Sequence, residues 1–335
     1  MRVGQAPYLY EWIDDFAEIP APEVARRGWA HPGMALSPSG TIVTFHPGQS
    51  TVLELSTAGT LLGSWDVPVV EGHGIAVASD GTQACLWISD PGGKRRPELE
   101  YGGGEPGPGR TLKTDLQGAV LAEMVAPSLP AYAEAAFKPT QVAVYDESRG
   151  GNGDIWITDG YGQSLIHRYT RGGSYVQTID GSEGATGAFR TPHAIHIDVR
   201  GAEPELYIAD RAKDRIQVYD LDGGYKRGFG EGVLHHPAAF AAMGEALVVG
   251  ELHARVTILD ADDAPVAFLG DNFDVIREPG WPNTPGPNAV PSRSDRLQPG
   301  RFNSPHGVAA DGEGNIYVAE WLIGGRYIKL ARVSD

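Results

Sequence analysis

Cysteine and long apolar runs are almost absent from this sequence. A single cysteine among 335 residues, Cys85, excludes an internal disulfide and any cysteine-rich metal site. We expect Cys85 to be a small buried residue in a strand. No apolar run approaches the roughly 20 residues that a membrane helix needs, and Met1 to Gln5 lack the apolar core and cleavage site of a signal peptide. The sequence therefore predicts a soluble, cytoplasmic protein with no membrane partner.

Basic residues are also scarce. The 27 lysines and arginines are outnumbered by 43 acidic residues, which gives a formal net charge of −16. Because nucleic acids are bound through clustered basic side chains, this balance argues against a nucleic-acid partner. The densest basic run, Lys94-Arg95-Arg96, lies in a Gly/Pro-rich excursion from Pro91 to Arg110. It is interpreted either as a solvated loop or as a rim that attracts an anionic substrate.

What the sequence does contain is a repeat that runs along the whole chain. Each copy has a short apolar strand, a turn, and a second apolar strand that in most copies ends in an acidic residue, as in Ile195 to Asp198 followed by Leu206 to Asp210. Six such copies predict an all-β fold, a six-bladed β-propeller in a single domain over residues 1–335. The predicted blades are approximately 31–67, 71–124, 137–181, 189–230, 234–272 and 302–335, the last one completed by 8–16.

Two segments lie outside the regular copies. The last copy ends after Tyr327 to Leu330, one strand short of a four-stranded blade, and Tyr8 to Ile13 is predicted to supply the missing strand. That pairing would close the ring and remove open sheet edges. The segment from Asp271 to Arg301 separates the fifth and sixth copies, and its Trp281 and prolines predict an ordered flap.

A histidine recurs at one position in every other copy. His73, His193 and His306 each open the first strand of a copy. The intervening copies carry Pro32, Thr140 and Ala238 at this position. Because alternate copies of a six-membered ring are related by a threefold rotation, the three imidazoles should converge on the axis. Three convergent histidines predict a site for zinc or a similar divalent transition metal.

Other polar residues of the repeat have simpler interpretations. Acidic residues end the second strands too regularly to be catalytic, and we expect them to accept backbone hydrogen bonds. These acids include Asp90, Asp159, Asp210 and Glu251. His46 and His253 are candidates for additional site residues, although each is most simply a loop residue. His235-His236 does not share the position of the three histidines.

Several of these motifs resemble the peptidyl-α-hydroxyglycine α-amidating lyases, six-bladed propellers of the NHL-repeat class. The likeness runs in order from about Gly33 to Tyr327 and is carried by Asp159-Gly160-Tyr161, Pro192-His193, Ala209-Asp210-Arg211 and Pro305-His306. The resemblance implies a catalytic zinc on His73, His193 and His306. It also implies that Tyr161 is the catalytic tyrosine and that Arg211 faces the substrate. Packing in the channel for Tyr161, and pairing with Asp210 for Arg211, remain the alternatives.

Two positions depart from the family pattern. Pro47 stands where the family has a first-blade arginine that is associated with the carboxylate end of the substrate. Gly307 stands where the family has an aspartate tied to a structural calcium. We therefore expect no calcium that depends on the sixth blade, and a substrate other than C-terminal hydroxyglycine.

The predicted residues suit a lyase acting on a small α-hydroxy compound. Three neutral imidazoles leave zinc an open position for a hydroxyl, which loses its proton more easily there. Tyr161 is a candidate base, because a neighbouring cation favours the phenolate, and Arg211 suits a carboxylate or developing oxyanion. Loss of the proton and departure of the group on the same carbon give a carbonyl product. A non-catalytic NHL-repeat binding protein and a lactonase-like hydrolase are the alternatives.

Overall fold

The chain forms six antiparallel sheets, each built mainly from one copy of the repeat. A computed structural model describes residues 1–81, 83–97, 107–184 and 187–333. Residues 98–106 of the predicted excursion, and 334–335 of the predicted sixth blade, lie outside the described residues. In five sheets, four strands pair in chain order as successive hairpins. The predicted all-β, six-bladed β-propeller is confirmed.

The elements follow in this order. The chain begins with β1 (Arg2–Gln5), β2 (Tyr8–Ile13) and helix α1 (Pro22–Arg27). The first blade contains β3 (Met34–Leu36), β4 (Ile42–Phe45), β5 (Thr51–Leu55) and β6 (Leu61–Asp66). The second contains β7 (Gly74–Asp80), β8 (Gln83–Asp90), β9 (Arg110–Thr114) and β10 (Val120–Met124). The third contains β11 (Gln141–Val144), β12 (Ile155–Asp159), β13 (Leu165–Tyr169) and β14 (Tyr175–Ile179). The fourth contains β15 (Pro192–Asp198), β16 (Glu205–Asp210), β17 (Arg215–Asp220) and β18 (Tyr225–Phe229). The fifth contains β19 (Pro237–Met243), β20 (Ala246–Glu251), β21 (Arg255–Leu259) and β22 (Pro265–Leu269). The sixth contains β23 (Pro305–Ala310), β24 (Ile316–Glu320) and β25 (Arg326–Arg332).

The N-terminal strand completes the sixth blade, as the sequence predicts. β2 pairs antiparallel with β25, so that Trp12 lies opposite Leu330. β1 then adds a fifth strand through a hairpin with β2, which the repeat does not predict. Both termini of the described chain are thereby held by sheet hydrogen bonds.

The residues divide into two compact units. Among the described residues, one contains the first, fifth and sixth blades within 1–66, 94–97 and 238–333, and the other contains the second to fourth blades within 67–81, 83–93, 107–184 and 187–237. In each unit, neighbouring sheets bury apolar side chains between them, because successive residues of a strand face opposite sides of its sheet. Val248 and Phe302 belong to such a core in the first unit, and Trp156 and Ile208 to one in the second. Cys85 is buried in β8, as predicted.

The segment between the fifth and sixth blades is structured. It contains 3₁₀ helices at Phe273–Arg277 and Pro287–Ala289, and Thr284 pairs with Ser292. The Trp281 indole N–H donates to the carbonyl of Asn303 at 3.0 Å. Across the described ranges, no helix is long and apolar enough to cross a membrane.

Candidate functional site

His193 and His306 each lie at a β-bulge near the start of the first strand of a blade. Pro192 and Ala194 both pair with the second strand, but His193 between them does not. The same interruption surrounds His306. A bulge bends the strand and redirects one side chain, so the Pro-His sequence sets the direction of each imidazole locally.

His73 and His193 form a buried pair in the second unit. Their side chains are 1% and 2% exposed, and their ring centroids are 4.9 Å apart. The candidate ligand nitrogens of the two rings lie within 4.8 Å of each other. Two imidazoles at this separation suit a shared ligand such as a metal ion.

His306 has a neighbouring histidine in the first unit that the repeat does not predict. Its ring centroid lies 4.4 Å from that of His31, and His306 is 3% exposed. In the first copy, Pro32 occupies the position of the recurring histidine. The repeat therefore does not predict a candidate ligand at the residue before it. A candidate ligand nitrogen of His31 lies within 4.8 Å of one of His306.

The backbone fixes the proton on two of these imidazoles. Nδ1 of His73 lies 2.6 Å from the carbonyl oxygen of Thr140, and Nδ1 of His306 lies 3.1 Å from that of Pro32. Because a carbonyl oxygen can only accept, each Nδ1 carries a hydrogen, and in the neutral imidazole the lone pair is then on Nε2. Histidines that ligate metals usually have this second hydrogen bond.

The Tyr161 hydroxyl faces the His73–His193 pair. Its oxygen lies 3.1 Å from Nε2 of His73 and 3.0 Å from Nε2 of His193. In the neutral His73 imidazole with its hydrogen on Nδ1, Nε2 accepts the hydrogen bond of the Tyr161 hydroxyl. Tyr161 directly follows β12 and its turn glycine, as the Asp-Gly-Tyr motif predicts.

Arg211 contacts the same phenol. Its Nη1 donates to the Tyr161 oxygen at 3.3 Å, and its guanidinium carbon lies 5.3 Å from the ring centroid. The neighbouring Asp210 carboxylate accepts instead from the Arg190 backbone and the Arg215 guanidinium. The guanidinium is therefore directed at the predicted site.

The turn that carries Tyr161 is held by Asp159. Its carboxylate accepts from the backbone N–H of Lys138 at 2.6 Å and of Gln163 at 2.7 Å, and from the hydroxyl of Tyr132. Burial raises the pKa of Asp159, and these hydrogen bonds oppose that rise. A Tyr132–His167 contact extends the network, and burial lowers the pKa of His167 to about 4.

Most acids at the ends of second strands accept backbone hydrogen bonds, as predicted. Asp90 accepts from Val70 and Gly92, and Asp210 from Arg190. The Glu251 carboxylate accepts from the Arg255 guanidinium and the Thr257 hydroxyl. The acids thus hold strand ends rather than the reacting groups.

The remaining candidate histidines have other surroundings. His46 takes the place of the acid in the first blade, with Nε2 donating to the Pro20 carbonyl and Nδ1 accepting from Gly48. Both ring nitrogens are thus used by backbone. His253 packs against Trp281 at 5.7 Å between centroids, and His236 hydrogen-bonds Asp214 at 2.6 Å. In the described part of the chain, none of these three side chains is grouped with the candidate metal-binding histidines.

Position 307 has no room for a side chain. A Cβ on Gly307 would lie 2.6 Å from the Pro32 carbonyl oxygen and 2.9 Å from the Met34 nitrogen. Gly74, which follows His73, is equally crowded, with the Thr140 carbonyl 2.4 Å from its ideal Cβ. These glycines allow the adjacent strand to approach closely enough to bind each Nδ1.

Sequence comparison finds distant relatives. The human NHL repeat-containing protein 3 is 27% identical over 232 residues, which are 66% of this chain and 60% of the human protein. Peptidyl-α-hydroxyglycine α-amidating lyase 1 of Drosophila melanogaster is 25% identical over 276 residues, 74% of this chain and 42% of that protein. The match therefore spans 60% or less of these relatives. No protein-family model matches the chain.

Solved structures show the same fold over nearly the full length. A streptogramin B lyase matches with a TM-score of 0.55 and 14% identity, covering 96% of this chain and 98% of its own. A gluconolactonase from Xanthomonas campestris matches with a TM-score of 0.56 and 13% identity, covering 98% and 99%. At these identities the likeness shows the propeller fold alone.

Proposed function

We propose that the chain is a zinc-dependent lyase that acts on an α-hydroxy compound, with a substrate different from that of the amidating lyases. The observation that best supports this function is the position of the Tyr161 hydroxyl. It is within hydrogen-bond distance of Nε2 of His73, Nε2 of His193 and Nη1 of Arg211. The hydroxyl of the candidate base thus contacts two candidate metal ligands and one cation.

His73, His193 and His306 would hold the ion, because they share one register position in alternate blades. Imidazole nitrogens suit zinc, and the Nδ1 hydrogen bonds of His73 and His306 present Nε2 in the required state. His31 is a further candidate ligand. When bound, zinc would act as a Lewis acid that lowers the pKa of a hydroxyl.

The protein residues then have distinct tasks. Tyr161 accepts the proton of the substrate hydroxyl, and Arg211 stabilises the phenolate through the hydrogen bond it already donates. Arg211 also holds the anionic or carbonyl end of the substrate. The carbonyl forms as the bond to the other group on the same carbon breaks, and that group leaves with the bonding electron pair and takes up the proton from Tyr161. The broken bond is C–N, C–O or C–C.

Two other functions have some support. A non-catalytic NHL-repeat binding protein is the first alternative, and the human NHL repeat-containing protein 3 is a relative that carries this repeat. The gluconolactonase likeness favours a hydrolase, but a calcium-dependent site would need carboxylate and carbonyl ligands, and the alternating register positions carry histidines. A small-molecule substrate and a cytoplasmic location are parts of the proposal.

The test is an assay of the zinc-loaded protein against α-hydroxy amides and α-hydroxy acids, with the carbonyl product detected by hydrazine trapping. We expect turnover by the wild type, and a Tyr161→Phe variant with unchanged zinc content serves as the inactive control. Stoichiometric zinc with no turnover of any compound would favour the binding protein. Turnover of lactones alone would favour the hydrolase.

A further inference from the structure

The Asp159 carboxylate holds two segments that lead to the candidate site. It accepts from a backbone N–H of the turn that carries Tyr161, and from the backbone N–H of Lys138. The Lys138 carbonyl accepts in turn from the backbone N–H of Tyr161 at 3.3 Å. Two residues further along this segment, the Thr140 carbonyl accepts from Nδ1 of His73. One carboxylate therefore anchors both the candidate base and the segment that orients a candidate ligand.

The Tyr132 hydroxyl is a side-chain donor to this carboxylate. Asp159 is fully buried, and a buried carboxylate depends on hydrogen-bond donors for its ionised state. The Tyr132 oxygen lies 2.7 Å from Oδ2 of Asp159. Tyr132 ends the 3₁₀ helix Pro130–Tyr132, which precedes the segment of Lys138. Because this contact is made by a side chain rather than by the backbone, a substitution can remove it.

His167 determines the direction in which Tyr132 donates. Its Nε2 lies 2.6 Å from the Tyr132 oxygen, and its Nδ1 lies 2.8 Å from Oγ1 of Thr178. Burial lowers the pKa of His167 to about 4, so the ring is neutral at pH 7 and carries one hydrogen. A phenol also has a single hydrogen. With that hydrogen donated to the ionised Asp159, Nε2 of His167 donates to the Tyr132 oxygen, and Nδ1 accepts from the Thr178 hydroxyl.

The hydrogen-bonded chain continues to the surface of the third blade. The hydroxyl of Tyr175, an exposed residue, lies 2.9 Å from Oγ1 of Thr178. Donors thus follow one direction, from Tyr175 through Thr178, His167 and Tyr132 to Asp159. Aligned hydrogen bonds strengthen one another where water is excluded. All of these residues belong to the third blade or to the segment before it, so the chain lies within one compact unit.

We propose that Tyr132 and His167 are positioning residues of the site, which hold the Tyr161 hydroxyl in place through the Asp159 carboxylate. Residues that orient a site in this way typically contribute about 10- to 100-fold to activity or metal affinity. The assignment rests on the proposed function for the reaction that Tyr161 serves. The placement of the Tyr161 hydroxyl itself is measurable without turnover.

The experiment is NMR of the purified full chain with isotope-labelled tyrosine, observed at Cζ, the ring carbon that bears the oxygen. The signal that disappears in Tyr161→Phe is assigned to Tyr161. In Tyr132→Phe and His167→Leu we expect this signal to move toward the position of an exposed tyrosine, because the hydroxyl loses its fixed partners. His167→Gln keeps an N–H near the place of Nε2, so it should retain the wild-type position.

Tyr169→Phe is the matched control. It removes another hydroxyl from the third blade, one that donates to the Val125 carbonyl at 2.8 Å, and it should leave the Tyr161 signal unchanged. Circular dichroism reports whether each variant is folded. An unmoved Tyr161 signal in folded Tyr132→Phe, or an equal movement in Tyr169→Phe, would overturn the assignment.

Steady-state kinetics distinguish this assignment from the proposed function. On a substrate found in the assay, Tyr132→Phe should lower kcat about 10- to 100-fold with little change in KM. An unchanged kcat would overturn the positioning role and retain the lyase. A moved Tyr161 signal in a protein that turns over no α-hydroxy compound would retain the positioning of Tyr161 and reject the lyase.

Discussion

Nδ1 of His73 lies 2.6 Å from the carbonyl oxygen of Thr140, the residue that takes the place of histidine in the third blade. His306 makes the equivalent contact with Pro32 in the first blade, at 3.1 Å. Copies without histidine therefore supply the carbonyls that fix the protonation of histidines in other copies. Copies with the histidine supply a candidate ligand, and copies without it supply a carbonyl that orients a ligand.

Replacement of His73, His193 or His306 with alanine should sharply lower zinc content, because each removes one of the proposed ligands. The core lies between the blades, so the melting temperature of the metal-free protein should change little. Elemental analysis of the purified variants measures the effect, with His235→Ala as the control. Full zinc retention in one variant would exclude that residue, and loss in His31→Ala would add a fourth ligand.

Tyr161→Phe should keep its zinc and lose about 10²–10⁴-fold in kcat, the usual cost of removing a positioned base. Arg211→Ala should mainly raise KM, because this side chain is proposed to hold the substrate. Steady-state kinetics on a substrate found in the assay separate the two effects. An unchanged kcat in Tyr161→Phe would show that another group takes the proton.

Gly307→Ala should destabilise the protein by about 1–3 kcal/mol, because the new methyl group has no space and backbone atoms must shift. The nearest of these is the Pro32 carbonyl oxygen, 2.6 Å from the ideal Cβ. Gly312→Ala in the same blade is the control, since no atom lies within 4 Å of its ideal Cβ. Urea unfolding measures the stability of both variants. Equal midpoints would show that the strands separate easily enough to admit the methyl group.

Calcium removal should leave thermal stability unchanged. The sixth blade has Gly307 where a carboxylate would be needed, and the backbone there leaves no room for one. Thermal unfolding with and without a calcium-selective chelator, at constant zinc content, is the measurement. A large fall in the midpoint would show that other oxygen ligands hold a calcium ion.

His167 should make stability decrease between about pH 6.5 and pH 4. Burial lowers its pKa to about 4 in the folded state, so the unfolded chain takes up a proton in this range and the folded chain does not. At pH 5 the loss from this residue is about 2 kcal/mol relative to pH 7. Urea midpoints at the two pH values should differ less in His167→Gln than in the wild type, and identical differences would contradict the assignment.

The sequence by itself determined the fold and three of the candidate ligands. Short apolar strands, turn residues and a sixfold repeat predict blades, because inner strands such as Ala246–Glu251 and Ile316–Glu320 are buried on both faces. The alternating position of His73, His193 and His306 follows from the same repeat. Local Pro-His bulges, which aim two of the side chains, are also encoded in a few consecutive residues.

Only the tertiary structure decided which side chains meet. His31 lies next to His306 although it has no place in the register, since ring contacts depend on strands that are distant along the chain. The same holds for Arg95. Its basic run is interpreted from sequence as a solvated loop or as a rim for an anionic substrate, and only the structure shows its guanidinium on Trp29 and Trp321. A repeat specifies what each copy shares, whereas loops and the residues that precede a strand are fixed by packing between copies.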